Sequence, residues 1–369
     1  LKTRYHLPLI YYSIWDDLPY PMWNAPFYGS CDLIMGISKQ SHNIHNEVLK
    51  QNRFNVVDLD KQVPGFQESW DTVFTSFVPH GLDENVFKPL SKDDDAYQKM
   101  FKQLKTDNDI DFLVMWNNRN IRRKLPGDVI LAFEHFRKSL PEDQQDSVGL
   151  VMHTSPVDNN GTDLRAVCKA VAPEAKVLFS DAKLSVKDLN AMYNVADVVL
   201  NIASNEGWGL SSTESLLAGT VIVNNVTGGL QDQMRFENEN GDWITFDRSF
   251  TTNHTGQYKK HGIWAKPVFP SNRSLQGSPQ TPYIFDDRVR FEDVAEKLKE
   301  WWETTETKRQ EAGIAGREFC LSHGLTSRQM GKSMIKHIDF LLDQSKESRP
   351  RYTFNKVESA QYENIGITE

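Results

Sequence analysis

The sequence predicts an α/β chain of two doubly wound, parallel-sheet domains. Three observations carry this. Between Asp111 and Asn224 apolar strand-like runs alternate strictly with helical patterns, as βαβ units require. The chain has 369 residues, more than one ordinary core accommodates. Further strand-like runs lie before residue 88, separated from the main alternation by the polar, acidic stretch Ser91–Asp111.

The first run, Leu7–Trp15, is continuously apolar and aromatic, which suits a buried parallel strand. Asp16-Asp17 ends it and a Pro-rich loop, Leu18–Pro26, follows. Asp32–Ser38 reads as a second buried strand, with Ser38 or Ser41 capping a helix through about Gln51. Val73–Val78 is a third strand, closed by Pro79-His80-Gly81. The alternation then predicts strands at Asp111–Trp116, Val148–His153, Ala175–Phe179, Asp197–Ile202 and Val221–Asn224. Helices fall between them at Gly127–Ser139, Thr162–Val171, Ser185–Val195 and Leu210–Ala218. Pro173, Asp181 and Gly219 punctuate the pattern as turn residues. Residues 235–290 break the rhythm and read as a long irregular insertion. Helices at Phe291–Thr304, Thr307–His323 and Thr326–Gln344 close the chain before a polar tail.

Composition narrows the function. The 39% hydrophobic and 25% charged residues suit a globular protein. No apolar run approaches the roughly 20 residues needed to span a bilayer, and no secretory signal is visible, so a cytoplasmic location is expected. The four Asn-x-Ser/Thr sequons are then chance. A net charge of −8 argues against a nucleic-acid coat. Cys31, Cys168 and Cys320 are odd in number and widely spaced, which implies free thiols and no metal framework.

In an open α/β sheet, ligands bind beyond the carboxyl ends of the strands. Three loops there carry chemistry. After Ile202 comes Glu206-Gly207-Trp208-Gly209-Leu210, running into a helix that bears Glu214. Its glycines admit close backbone approach, and the helix amides suit a diphosphate. Ser211-x-x-Glu214 also fits a capping box. After Trp116, four cations (Arg119, Arg122, Arg123, Lys124) fall within six residues, where departing phosphate charge needs stabilising. After Asn224, Thr227-Gly228-Gly229 forms a further glycine turn. The pairs Asp16-Asp17 and Asp286-Asp287 read as turn acids rather than metal ligands, and the loop aromatics Trp15, Trp23 and Trp264 as packing groups.

Together, in this order, these loops resemble the retaining GT-B glycosyltransferases that include glycogen and sucrose synthases and many bacterial and phage sugar transferases. Val78-Pro79-His80-Gly81-Leu82-Asp83 with Phe87-x-Pro89 looks like that family's interdomain segment, and Glu206 to Glu214 matches its two-glutamate motif. The resemblance covers about residues 73–345. It implies GT-B architecture, two Rossmann-like domains, the first incomplete at its N-terminus. The implied division is a partial acceptor-side domain over 1–88 and a nucleotide-sugar domain over 89–325 carrying the 235–290 insertion. A helix over 326–345 crosses back to the first domain, and 346–369 form the tail.

By the same resemblance Arg119 and Lys124 hold the diphosphate and stabilise its departure, and Glu206 binds donor-sugar hydroxyls. Gly207, Trp208, Gly209 and Leu210 meet sugar and phosphate through their amides, Glu214 binds ribose, and Gly228 and Gly229 border the ligand. The backbone at Phe179–Ala182 borders the base, and Asp16 or Asp17 orients the acceptor hydroxyl. Asn118 stands where the family has Gly, and Leu-Pro-Gly follows Lys124, so this loop is expected to differ in shape. The implied activity is metal-independent transfer of a sugar from a nucleotide-diphosphate donor with retention. No cofactor is called for beyond the nucleotide sugar as co-substrate. The acceptor stays open among glycan, lipid, small molecule and modified base. The alternatives are a non-catalytic nucleotide-sugar-binding protein and a viral DNA-modifying sugar transferase.

Overall fold

A computed structural model describes residues 8–61 and 72–348. Leu7 and residues 349–369 of the expected tail lie outside the described residues.

The N-terminal body is built on strands β1 (Ile10–Ser13), β2 (Leu33–Gly36), β3 (Asn55–Asp58) and β4 (Thr72–Phe77). They form one parallel sheet in the order β1-β2-β4-β3. The sequence predicts three strands here. The fourth, β3, is four residues long with polar ends, too short to show a period. The first strand is also shorter than predicted, because the chain leaves the sheet at Ile14 and its next residues enter a cleft. A short helix, α1 (Ala25–Tyr28), follows β1, and α2 (Lys39–Gln51) follows β2. Ser38, not Ser41, caps α2, accepting from the Ser41 amide at 3.1 Å. Ile34, Val73, Ile44, Val48 and Leu49 form the core between the sheet and α2.

The second body holds six parallel strands in the order β10-β9-β8-β5-β6-β7. Helix α3 (Asp95–Leu104) leads in, followed by β5 (Phe112–Asn117), α4 (Pro126–Lys138), β6 (Val148–His153), α5 (Leu164–Val171) and β7 (Lys176–Ser180). Next come α6 (Val186–Val195), β8 (Val198–Asn201), α7 (Leu210–Ala218), β9 (Ile222–Asn225), α8 (Leu230–Met234) and β10 (Ala265–Val268). Strand β5 shows why these segments read as unbroken apolar runs. Phe112, Val114 and Trp116 enter one core, Leu113 and Met115 the other. The order reverses direction between β5 and β8, so the loops after those two strands splay apart and open a crevice.

The segment expected to be irregular over 235–290 is so as far as Trp264 and regular beyond it. It supplies β10, paired to β9, and an antiparallel hairpin of β11 (Asn272–Ser278) and β12 (Thr281–Arg288). Helices α9 (Phe291–Trp302), α10 (Glu306–Ser322) and α11 (Ser327–Ser348) follow. On α11, Leu341 packs with Leu33, Met35 and Phe74 of the first sheet, and His337 bonds Ser76 at 2.9 Å. No helix of the described residues is long and apolar enough to cross a membrane.

Candidate functional site

The carboxyl ends of both sheets face a cleft of about 930 Å³. Ile14–Asp17 after β1 and His80 after β4 line its first-body wall. Arg122 and Arg123 after β5, and Asn205–Leu210 after β8, line the opposite wall. The β11–β12 hairpin closes one side through residues such as Gln276, Thr281, Asp286 and Arg288.

The loop after β8 is shaped by backbone packed on backbone. A Cβ on Gly207 would lie 2.8 Å from the Ile14 carbonyl oxygen, and one on Gly229 would lie 2.3 Å from that of Gly207. Gly228 (φ +46°) sits against the Glu206 carbonyl in the same way. Gly209, at φ +90°, turns the chain into α7 in the left-handed region that favours glycine. It caps α7 without a side-chain hydrogen bond, which leaves the start of the helix open at the positive end of its dipole. Trp208 contributes backbone to the cleft, while its buried indole donates to Thr213 Oγ1 at 2.9 Å.

The capping-box reading of Glu214 is corrected, since the cap is Gly209 and Ser211 lies inside the helix. Glu214 instead accepts hydrogen bonds from the Tyr193 hydroxyl and from Asn117 Nδ2 at 3.4 Å. Burial pushes its carboxyl above the ordinary range, against these two bonds.

The basic loop divides its cations among three tasks. Arg119 turns away, is 63% exposed, and bonds Asp158 at 3.0 Å; it does not line the cleft. Lys124 is buried behind Glu206 and pairs with its carboxylate, which also accepts from Arg123 at 2.9 Å. Burial lowers the Lys124 ammonium, and Glu206 opposes that shift. Arg122 faces the cleft with no ion-pair partner among the described residues. The sequence singles out the run but not the facing, which follows from the short 3₁₀ turn Arg122–Lys124.

Asp16 and Asp17 stand on the first-body wall. Each has one carboxylate oxygen sealed from solvent and without a hydrogen bond. Burial raises Asp16 well above the carboxylate range, reinforced by Asp17 and Glu206, and pushes Asp17 up to about 7. Of the second acidic pair, Asp287 is bonded by Arg273 and, at 2.8 Å, by Thr227. Asp286 accepts from Ser204 at 3.1 Å and Asn205 at 3.3 Å. Hairpin residues in the site are not legible as such in the sequence. The signal that marks them is the turn Gly277-Ser278-Pro279-Gln280 between two runs containing Leu275 and Ile284.

Phe179 on β7 lies outside the cleft, with the Arg165 guanidinium 5.9 Å from its ring centre. Gly228 and Gly229 stand behind the cleft wall rather than on it. Among the described residues, the one group of side chains close enough to share a cation is His42, Asp58 and Asp60, and it too lies outside the cleft. Trp23 packs edge-on between Trp15 and Tyr283, and Trp264 stacks on Phe319.

Solved structures share this fold. The sucrose-phosphate synthase of Thermosynechococcus elongatus superposes with a TM-score of 0.58 at 15% identity, over 88% of this chain and 61% of its own. HepE of Anabaena, solved in complex with UDP-glucose, gives 0.61 at 14%, over 91% and 73%. The α,α-trehalose 6-phosphate synthase of Burkholderia multivorans gives 0.64 at 13%, over 89% and 66%. The fold is GT-B. No protein-family model and no curated protein sequence matches the chain. The likeness is therefore one of GT-B architecture, and the chain spans about three fifths of the length of the sucrose-phosphate synthase.

Proposed function

We propose that this GT-B protein transfers a glycosyl group from a nucleotide-diphosphate sugar to an acceptor hydroxyl, without a metal and with retention. One observation carries the reading. The glycine-lined start of α7, Glu206 and the guanidiniums of Arg122 and Arg123 meet in one cleft at the switch point of a parallel sheet. Helix amides and guanidiniums suit a diphosphate. A carboxylate held by Lys124 and Arg123 suits the sugar hydroxyls.

In the proposed step, the anomeric carbon–oxygen bond to the diphosphate breaks while a bond to the acceptor oxygen forms on the same face. The acceptor proton passes to the departing diphosphate oxygen. Arg122 and Arg123 take up the charge that develops there, Lys124 fixes Glu206, and Asp16 faces the acceptor. The cleft's mixture of acids and guanidiniums is not the basic groove that DNA needs, so the DNA-modifying alternative gains no support.

UDP-glucose, the ligand of the HepE structure, is the first donor to try. A nucleotide at 100 times its dissociation constant should stabilise the protein by about 2.7 kcal/mol, visible as a thermal shift that EDTA leaves unchanged. Arg123→Ala should lower turnover about 100-fold, whereas Arg119→Ala, outside the cleft, should cost only a few-fold. The reverse order would return the role to Arg119. Absence of a shift with uridine, guanosine and adenosine diphosphates and their sugars alike would sink the proposal.

A further inference from the structure

Among the described residues, two carboxylates in the cleft have no ion pair of their own. Glu206 is bonded by Lys124 and Arg123. Asp287 is bonded by Arg273, and Asp286 has Arg288 at 3.7 Å. Among the described residues, Asp16 and Asp17 accept no hydrogen bond from another side chain, and each has one oxygen shut away from water. Asp16 faces Asp17, Glu206, Arg123 and Lys124; Asp17 faces Arg123, Asp286 and Asp287. The cation facing both, Arg123, already donates to Glu206 and to the Asn205 carbonyl.

A buried carboxyl with one unbonded oxygen keeps its proton, as burial favours at Asp16 and Asp17, unless a cation reaches its other oxygen and stabilises the anion. A donor diphosphate would engage Arg122 and Arg123 and deepen the deficit. The remaining first-body wall is then acidic. It is flanked by the apolar faces of Tyr11, Ile14 and Trp15, which suit the body of a sugar ring.

We infer that the acceptor is an amino sugar or similar polyol amine, whose ammonium sits between Asp16 and Asp17 beside its reacting hydroxyl. This rests on the sugar-transfer reading. Phosphorylated acceptors should bind more weakly, because an ammonium stabilises the ionised form of these two acids and a phosphate opposes it. Asp17 is the specificity-determining residue, reaching the ammonium from the wall while Asp16 faces both ammonium and hydroxyl.

The test is calorimetric titration of the protein saturated with UDP, near neutral pH. Glucosamine, galactosamine and mannosamine are each compared with glucose, galactose and mannose, and glucose 6-phosphate is added as the anionic probe. At least one amine should bind about tenfold or more tighter than its neutral parent, as a charge-assisted bond to carboxylate implies. That preference should vanish in Asp17→Asn, and the phosphate should bind weakest. Equal binding of every amine and its parent, survival of the preference in Asp17→Asn, or preference for the phosphate would each overturn the inference. UDP is titrated alone first, into each protein. Failure of the wild-type protein to bind UDP counts against the sugar-transfer reading itself; UDP binding without amine preference counts against this inference alone.

Discussion

At the scale of single residues, burial governs which groups keep their ordinary charge. His45 on α2 is fully buried, with Nε2 2.8 Å from Ser13 Oγ and its ring edge-on to Tyr28. Burial lowers it from 6.5 to about 3. The folded protein therefore holds His45 neutral while the unfolded chain protonates it. Stability from this residue is complete above pH 6.5 and is lost as pH falls toward about 3. The expected slope is about 1.4 kcal/mol per pH unit within that window. Urea titrations of wild type and His45→Gln at several pH values should show a shallower acid decline in the variant. Parallel declines would place the acid sensitivity elsewhere.

At the scale of elements, the β8–α7 unit shows why part of the site is legible in the sequence. Its signals are local: an apolar run, a glycine that must turn left-handed, and a helical pattern up to Gly219, which also lies at positive φ. Glu206 and Gly207–Leu210 are correspondingly found in the cleft. The hairpin is the opposite case. Its strands are partly exposed on both faces, so no period of two stands out. What fixes it is remote in sequence: the Phe285 amide donates to the Leu18 carbonyl at 2.6 Å, and the Asp287 amide to that of Ser204 at 2.9 Å. The same remoteness hides the facing of Arg119 and Arg123, because Asp158 and Glu206 decide it. One element-level prediction follows from the glycine stack. Gly229→Ala places a Cβ against fixed backbone, not a yielding side chain, and should destabilise by about 1–3 kcal/mol in a denaturant titration. Gly127→Ala, in open space on α4, should not.

At the scale of the whole molecule, the two bodies are joined by more than chain. Asp232 of α8 accepts from the Lys39 amide at 2.8 Å, so a residue of the second body satisfies the first turn of α2 in the first. Gln231 donates to Gln40 at 3.0 Å beside it, and Lys39 Nζ reaches the Ile244 carbonyl at 2.8 Å. Burial holds Asp232 up at about 7 against the pull of Lys39. Asp232→Ala should cost about 1–2 kcal/mol, the usual loss for an N-terminal cap. Because the lost bond joins the bodies, a two-step unfolding curve in the variant would show that it also couples them.

The hairpin adds a mechanical consequence. Its strand β12 is stitched to the loop after β1, where Tyr283 also donates to the Tyr20 carbonyl at 3.2 Å. The same strand is stitched to the second body through Asn225 and Thr227, which bond Asp287 at 2.8 Å. A two-stranded ribbon fastened to both bodies along one strand behaves as a leaf spring across the mouth of the cleft. The bodies can rock apart only as far as the ribbon flexes or a row of stitches opens. The opening of the cleft is thus limited in part by the stiffness of seventeen residues, 272–288.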